Sequence, residues 1–401
     1  MKKSSLQIQD RKKNYIESVD NCLLWIENQM LSYNRGTVGV YERIRIDVNR
    51  RVCWTRPDCN SEIARVLAKR KNDNYKDVYS NIVDWLLSVQ DNNPLSAWYG
   101  SFPFYLYNGE YSDLSGEARF QNDNGKVLIA LLDMYEITSD NRLKDAAVKL
   151  ADYWLSIQTP EGYFFRYDKY ITQGLYKGPC FIFWLAAGIA QCYGLTGEKK
   201  YIESAKKAFD YLLPLQLESG RFATTYELLK HEDWRPPSSE SSIALYCLAR
   251  ACRYIDDDRY KKAFQRVADY VLTLQAECGA IINSDADSLN ASLQENPMIC
   301  DLVYTEGFAL MGLVEGYKVF KNDALKDAAI RLGDFLVSIQ CKGESPLWDG
   351  AWRGTFNTET MQWDGRANQN NNIDEGGMYS VYTGWCAATI MDGLLGTLSI
   401  I

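Results

Sequence analysis

The sequence predicts an all-α fold closed on itself: six helical hairpins in a ring, an (α/α)6 toroid that takes 1–401 as a single domain. Three observations lead there. First, a signature recurs: Asp84-Trp85-Leu86 runs to Gln90, Asp152-Tyr153-Trp154 to Gln158, Asp210-Tyr211-Leu212 to Gln216, Asp269-Tyr270-Val271 to Gln275, and Asp334-Phe335-Leu336 to Gln340. In every copy the Gln follows the Asp by six, and a worn first copy lies near Asp20 to Glu27. A self-similar unit must stack on its neighbours to bury its apolar face. Second, two kinds of helix alternate along the chain. Third, the connections between them are lopsided.

The signature closes the amphipathic helices. In 141–158, Leu143, Ala146, Ala147, Leu150, Trp154 and Leu155 recur at spacings of three and four, with Lys144, Asp145 and Lys149 between them. One apolar stripe and one wet face make an outer helix. The same pattern places outer helices at 9–29, 72–90, 199–216, 258–275 and 322–340. Between them come segments apolar nearly all round, such as Phe181-Ile182-Phe183-Trp184-Leu185-Ala186-Ala187 and Gly307-Phe308-Ala309-Leu310-Met311-Gly312-Leu313. A helix without a wet face is buried, so 57–70, 121–137, 179–195, 239–254, 302–319 and 380–397 are inner helices. Passage from inner to outer helix is tight, as at Thr138-Ser139-Asp140 and Thr196-Gly197-Glu198. Passage from outer to inner is long, at 30–56, 91–120, 159–178, 217–238, 276–301 and 341–379, and long connections carry function. All six emerge on the face to which the inner helices present their N-termini, an arrangement that favours anions. Within the first connection, alternation over 41–47 and a return at 52–55 predict a small β-hairpin across 41–55.

Composition narrows the function. A net charge of −8 gives no electrostatic reason to expect nucleic acid as a partner. No run of 18 apolar residues appears, so no membrane partner is expected. Basic residues near Met1 have no apolar stretch behind them, and Cys-x-x-Cys pairs are absent. A cytoplasmic protein with reduced thiols is the expectation, although a chain trimmed of its signal peptide would read the same way. No cofactor fingerprint or P-loop is placed between strand and helix, and no cofactor is expected. The single histidine, His231, cannot supply a histidine-based metal site, and no metal is expected elsewhere: the Asp/Asn-rich stretch Asn368 to Glu375 does not have the spacing of an EF-hand loop. The 27 Tyr and 11 Trp supply ring faces for a sugar-binding cleft as well as core.

What remains for chemistry is carboxylates, arginines and tyrosines on the long-loop face. Asp58 and Glu62 lie four apart on one helix face behind Arg56 and Pro57. Asp123 opens the second inner helix, Glu240 the fourth, and Asp301 and Glu306 the fifth. Asp374 and Glu375 precede the sixth, followed by Tyr379, Tyr382 and Trp385. Each also suits the ordinary role of a first-turn carboxylate serving the helix dipole. Two carboxylates suffice for glycoside hydrolysis, and their separation sets an inverting or retaining outcome. Asp58, Glu62, Arg56, Tyr304, Trp348, Trp352, Arg353, Glu375, Tyr382 and Trp385 are candidate contacts for an oligosaccharide or polysaccharide. Arg56, Arg235, Arg353 and Arg366 would suit a uronic acid. A lyase or uronyl epimerase using Tyr304, Tyr379 or Tyr382 is the alternative, and a non-catalytic glycan-binding toroid a third.

Gln121-Asn122-Asp123-Asn124-Gly125, followed by Ala130-Leu131-Leu132-Asp133-Met134-Tyr135-Glu136-Ile137-Thr138-Ser139-Asp140, resembles the Asp-Asp-Asn…Ala-Leu-Leu-x-x-Tyr-Glu-x-Thr-Gly-Asp run of bacterial α-1,6-mannanase-type hydrolases, members of the six-hairpin glycosidase superfamily. The unsaturated-uronyl hydrolases of that superfamily share the toroid and also use Asp on inner helices. The resemblance implies a hydrolase with Asp123 as general acid or base, and Glu306 or Glu240 is the candidate opposite it. Asn122 stands where the mannanases carry the first Asp of their pair. A single histidine also departs from the histidine pair of the sugar-epimerase toroids.

Overall fold

A computed structural model describes residues 2–34, 37–107, 118–165, 175–229, 237–283, 298–365 and 377–401. Twelve main helices occur among them, in the predicted alternation. The outer helices are α1 (Lys2–Trp25, continued to Met30 by a wider π turn), α3 (Lys76–Val89), α5 (Asn141–Ser156), α7 (Lys199–Leu212), α9 (Asp258–Thr273) and α11 (Asp323–Ser338). The inner helices are α2 (Pro57–Arg70), α4 (Gln121–Thr138), α6 (Pro179–Thr196), α8 (Pro237–Ala251), α10 (Gly307–Phe320) and α12 (Thr389–Leu398), the last two entered through π turns at Leu302–Glu306 and Thr383–Ala388. Each inner helix packs on the next, and α12 returns to α2. Each also pairs with the outer helix that follows it; the sixth such pair joins α12 to α1, so the ring is closed by the two ends of the chain.

Local chemistry explains the tight turns. α2, α4, α6 and α10 each end on a left-handed residue (Lys71, Ser139, Gly197, Lys321) that turns the chain back. Asp140, Asp257 and Asn322 then cap the next outer helix through their side chains.

The signature residues clasp the outer ring. The Gln158 amide donates to Gly162 O at 3.1 Å, in its own loop, and to Ser204 O at 3.0 Å, on the next outer helix. Gln90, Gln216 and Gln275 do the same with Gly100 and Ala146, Gly220 and Ala263, and Gly279 and Ala328. Gln340 reaches Gly350 and, across the closure, Ser18 of α1. The glycine in this clasp is obligatory: at Gly162, φ is +115° and an added Cβ would stand 2.2 Å from Lys207 O. The signature aspartates belong to the same clasp, with Asp334 accepting from Tyr15 and Arg11, and Asp152 from Tyr201.

Strands are few and short. β1 (Leu31–Asn34), β2 (Thr37–Arg45), β3 (Arg50–Thr55), β4 (Leu106–Tyr107) and β8 (Ser380–Tyr382) form an antiparallel sheet beside the mouth. β5 (Ile299–Asp301), β6 (Thr355–Asn357) and β7 (Gln362–Trp363) form a second. The expected hairpin is real, but it is larger than 41–55 and turns at 46–49, with Asn49 at φ +50°. The sixth inner helix starts later than predicted, because 380–382 is drawn into β8 by pairing with Arg43–Arg45 of β2.

By length and composition α6 could cross a membrane, but 78% of that window is buried among the other helices, so it reads as toroid core.

Candidate functional site

Hairpin β2–β3 and the first turns of α2 and α4 bring one buried ionic cluster to the mouth of the ring. Arg56, just before α2, is its hub. Its Nε and Nη2 grip Asp58 side-on at 3.1 and 3.0 Å; Nη1 reaches Glu42 at 2.8 Å, and Nη2 also reaches Asp123 at 2.8 Å. Lys126, one turn along α4 from Asp123, donates to Asp58 at 2.9 Å and lies 3.8 Å from Glu62. The Trp385 indole donates to the same Asp58 oxygen at 2.7 Å. Aromatic faces sheathe the cations: Phe104 and Trp385 flank Arg56, and Trp385 lies 3.3 Å from the Lys126 ammonium. All these charged groups are buried, while Trp54, Phe104 and Trp385 are half-exposed.

The acids of this cluster differ. Burial opposes ionisation of Asp58, but Arg56 and Lys126 outweigh it and hold the carboxyl below its usual range. For Asp123 burial wins: against Arg56, and reinforced by the charge on Asp58, it lifts the carboxyl to about 7. Burial likewise lifts Glu62 to about 7 against the pull of Lys126. Asp58 and Asp123 touch the same nitrogen, so their two oxygens lie no farther apart than 3.0 and 2.8 Å laid end to end. The Oδ1 atom of Asp123 has no hydrogen-bond partner among the described residues.

A second buried cluster fills the opposite end of the ring. Arg250 binds Asp133 and Gln191, each at 2.6 Å; Gln191 donates to Asp133 at 2.9 Å; Arg65 pairs with Asp392 at 2.8 Å, and Lys69 with the same carboxylate at 2.6 Å. Burial opposes both charges, but Arg250 and Arg65 prevail, and Asp133 and Asp392 are held below their usual range.

Other expected site residues fall elsewhere. Glu240 and Glu306 stand at the starts of their inner helices, but both accept from buried backbone N–H groups. Glu306 is fully buried and accepts the Ile281 backbone N–H at 3.0 and 3.2 Å; Glu240 accepts those of Thr225 at 2.7 Å and Cys180 at 3.3 Å. Asn60 and Asn124 do the same work for Val40 and Phe102 in the first two units. The physical reason is common to all four: a loop folding down over its helix start buries backbone donors that need acceptors. Burial pushes Glu306 well above the ordinary carboxylate range.

Trp352 is fully buried, with its indole donating to Leu336 O at 2.8 Å. Trp348 is buried and donates to Glu344, which also receives Arg353, so these three pair within the last connection. Tyr304 packs edge-on to Trp385 at 5.6 Å, and Tyr382 receives a bond from Arg43, so both border the cluster. Glu375, with His231, Arg235, Arg366 and Asp374, lies outside the described residues.

Glu42, Arg43, Lys126 and the closed-end residues were not foreseen. For Lys126, Arg65 and Arg250 there was a signal: a charged side chain inside a helix with no wet face must find a buried partner. Among the described residues no group of three His, Cys, Asp or Glu is placed to hold a metal ion, and the eleven cysteines are free thiols.

In sequence the chain matches no protein-family model and no curated protein. Its fold is shared with solved structures. A sugar epimerase from a ruminal bacterium superposes with a TM-score of 0.72 at 13% identity, over 98% of this chain and 99% of that one. A family 76 α-mannanase from Bacteroides thetaiotaomicron gives 0.65 at 13% identity, over 96% of each chain. A family 88 glycosyl hydrolase from Bacteroides vulgatus gives 0.58 at 13% identity, over 86% of this chain and 92% of that one. The architecture is the (α/α)6 toroid that these solved structures share.

Proposed function

We propose that this protein is a carbohydrate-processing enzyme, and more narrowly a glycoside hydrolase in which Asp123 delivers the proton to the leaving oxygen. One observation carries the reading: Asp123 lies at the mouth with one oxygen held by Arg56, the other free, and its carboxyl lifted to about 7. A general acid needs a proton in place near working pH and a fixed direction in which to give it. Asp58 beside it stays ionised, and its negative charge helps keep the proton on Asp123. Four donor contacts from Arg56, Lys126 and Trp385 lock Asp58, so its role is to hold the cations and keep Asp123 protonated rather than to attack. The fold shared with an α-mannanase and a family 88 glycosyl hydrolase supports this reading, and so does the single histidine. Tyr382 makes a poor base for a lyase, since burial pushes its phenol well up despite Arg43.

The test is reducing-sugar release from a panel of neutral and uronic-acid-containing glycans by the wild type and by Asp123→Asn. Release that the substitution abolishes is the expected result. An unsaturated uronate product would make the protein a lyase, and epimerised sugar without cleavage would remove the hydrolase assignment.

A further inference from the structure

The seam that closes the ring is built differently from the others. In each clasp a glutamine amide reaches a carbonyl on the next outer helix: Ala146, Ser204, Ala263, Ala328 or Ser18. Three residues past that carbonyl the other helices carry Lys149, Lys207, Arg266 and Arg331, whereas α1 carries Asn21. Lys149, Arg266 and Arg331 reach back to Asn92, Leu217 and Ala276 in the preceding loop. Four residues before the carbonyl stand Arg142, Lys200 and Arg259, bridging the seam to Asp84, Asp152 and Asp210 at 2.8, 2.8 and 2.9 Å; α11 has Ala324 there and α1 has Asn14.

Short amides thus stand where long cations fill other seams, and the α11–α1 seam is hollow. One cavity of about 660 Å³ lies between α1 and α11, and a second of about 640 Å³ adjoins it beside the last connection; Asn21 and Lys342 line both. Gln7, Asn14, Asn21 and Asn28 line these cavities at intervals of seven residues, close to two helical turns, so they form a ladder along one face of α1 and its π continuation. None of the four side chains makes a hydrogen bond among the described residues.

Each amide offers donors and an acceptor on one flat group, which neighbouring sugar hydroxyls complement. Asp10 and Glu17 on α1 and Lys342 on the loop put charges of both signs along the groove, so a ligand strongly charged in either sense meets a like charge. The first cavity has only Val337 and the buried Tyr15 as apolar side chains, which leaves no pocket for the side chains of a docked peptide. The outer helices end on the face of the long connections, so the second cavity, with Gln29 and Asp349, lies toward the mouth side of the ring.

We propose that the α11–α1 seam is a second glycan site, which holds a neutral sugar chain along the amide ladder, so that the protein handles a chain rather than a small sugar; this rests on the carbohydrate-processing reading above.

Hydrogen exchange read by mass spectrometry locates the ligand on the full chain carrying Asp123→Asn, which prevents turnover. The probes are cellohexaose, mannohexaose and xylohexaose, the three monosaccharides, and a soluble glycine–serine peptide of similar length. At least one hexasaccharide should slow exchange in 7–29 and 337–350, and the monosaccharides should not. Asn14→Arg with Asn21→Lys installs the side chains of the sister seams, so the ring should still fold, as circular dichroism would show. The hexasaccharide concentration that half-protects the two segments should then rise at least about ten-fold, the worth of one or two hydrogen bonds. Asn21→Lys alone stands in if the double variant does not fold. Protection by no sugar, protection at the mouth alone, protection unchanged by the substitutions, or protection by the peptide alone would each overturn the proposal. Reducing-sugar release by the wild type separates the two readings. Cleavage with unchanged exchange along the seam sinks the second site alone, whereas seam protection by a hexasaccharide without cleavage of any glycan sinks the hydrolase alone.

Discussion

The two ends of the toroid bury the same ingredients and treat them differently. At the closed end Asp133 and Asp392 are each matched to arginine, with Gln191 or Lys69 adding further donors, and both are depressed. At the mouth the acids outnumber the cations: Glu42, Asp58, Glu62 and Asp123 share Arg43, Arg56 and Lys126. Asp58 takes both Arg56 and Lys126, and Asp123 and Glu62 are left with carboxyls lifted to about 7. The contrast teaches that burial of charge does not mark function. At the closed end each acid keeps its charge against an arginine, whereas at the mouth two acids keep protons beside cations committed elsewhere, as the proposed proton donor requires.

The largest effect should come from breaking the closed end. Asp133→Ala strands Arg250 and leaves Arg65 with one carboxylate fewer, and removing one partner of a buried pair costs about 3–5 kcal/mol. Denaturant unfolding at neutral pH would show that loss, and a change within experimental error would mean the network is not a structural plug. Next in size is Asp123→Asn, which should lower turnover at least ~100-fold, the low end of acid–base assistance, while leaving the fold intact. Its stability should change with pH in a defined sense. A carboxyl raised in the folded state lends stability that is complete below its unfolded value, about 4, and lost as pH rises through about 7. The wild type should therefore lose more stability than Asp123→Asn between pH 5 and 8. Asp133 and Asp392, depressed in the folded state, lend stability above about pH 4 that is lost only on acidification.

Smaller effects sharpen the boundary of the site. Gln158→Ala removes two hydrogen bonds to carbonyls and should cost about 1–3 kcal/mol, at roughly 0.5–1.5 per bond, with turnover unchanged; a large activity loss in the folded variant would place the clasp in catalysis. Glu306→Gln should do least. Its carboxyl is held well above the ordinary range, and an amide oxygen can still accept from Ile281. A fall in turnover comparable to that of Asp123→Asn would return Glu306 to the chemistry.

Much of the fold is legible because it is periodic. The Asp-to-Gln signature repeats since each outer helix must be tied to the next, and the alternation of wet and dry helices follows from ring position. The site is less legible because its partners come from different units. Asp58, Glu62 and Asp123 stand out as first-turn acids, but nothing local says that Arg56 would bind Asp123 or that Glu42 and Arg43 on β2 would join them. Glu240 and Glu306 carried the same first-turn signal as Asp123. Only superposing the repeat units, where Asn60 and Asn124 hold their positions, separates a loop acceptor from an acid. Lys126 was readable as a charge in a dry helix, whereas the closeness of Arg43 to Tyr382 depends on a strand pairing that no pattern in 380–382 announces.

The contrast between the two ends can be read directly by following the side-chain carboxyl carbons by NMR through a pH titration of the wild type, with Asp123→Asn and Asp133→Asn used to assign the two signals. Asp123 should titrate near 7 and Asp133 should remain charged to below the ordinary range for an aspartate, about 3.9. If Asp123 instead loses its proton at or below that ordinary value, it cannot be the proton donor, and the mouth cluster would be a second structural plug.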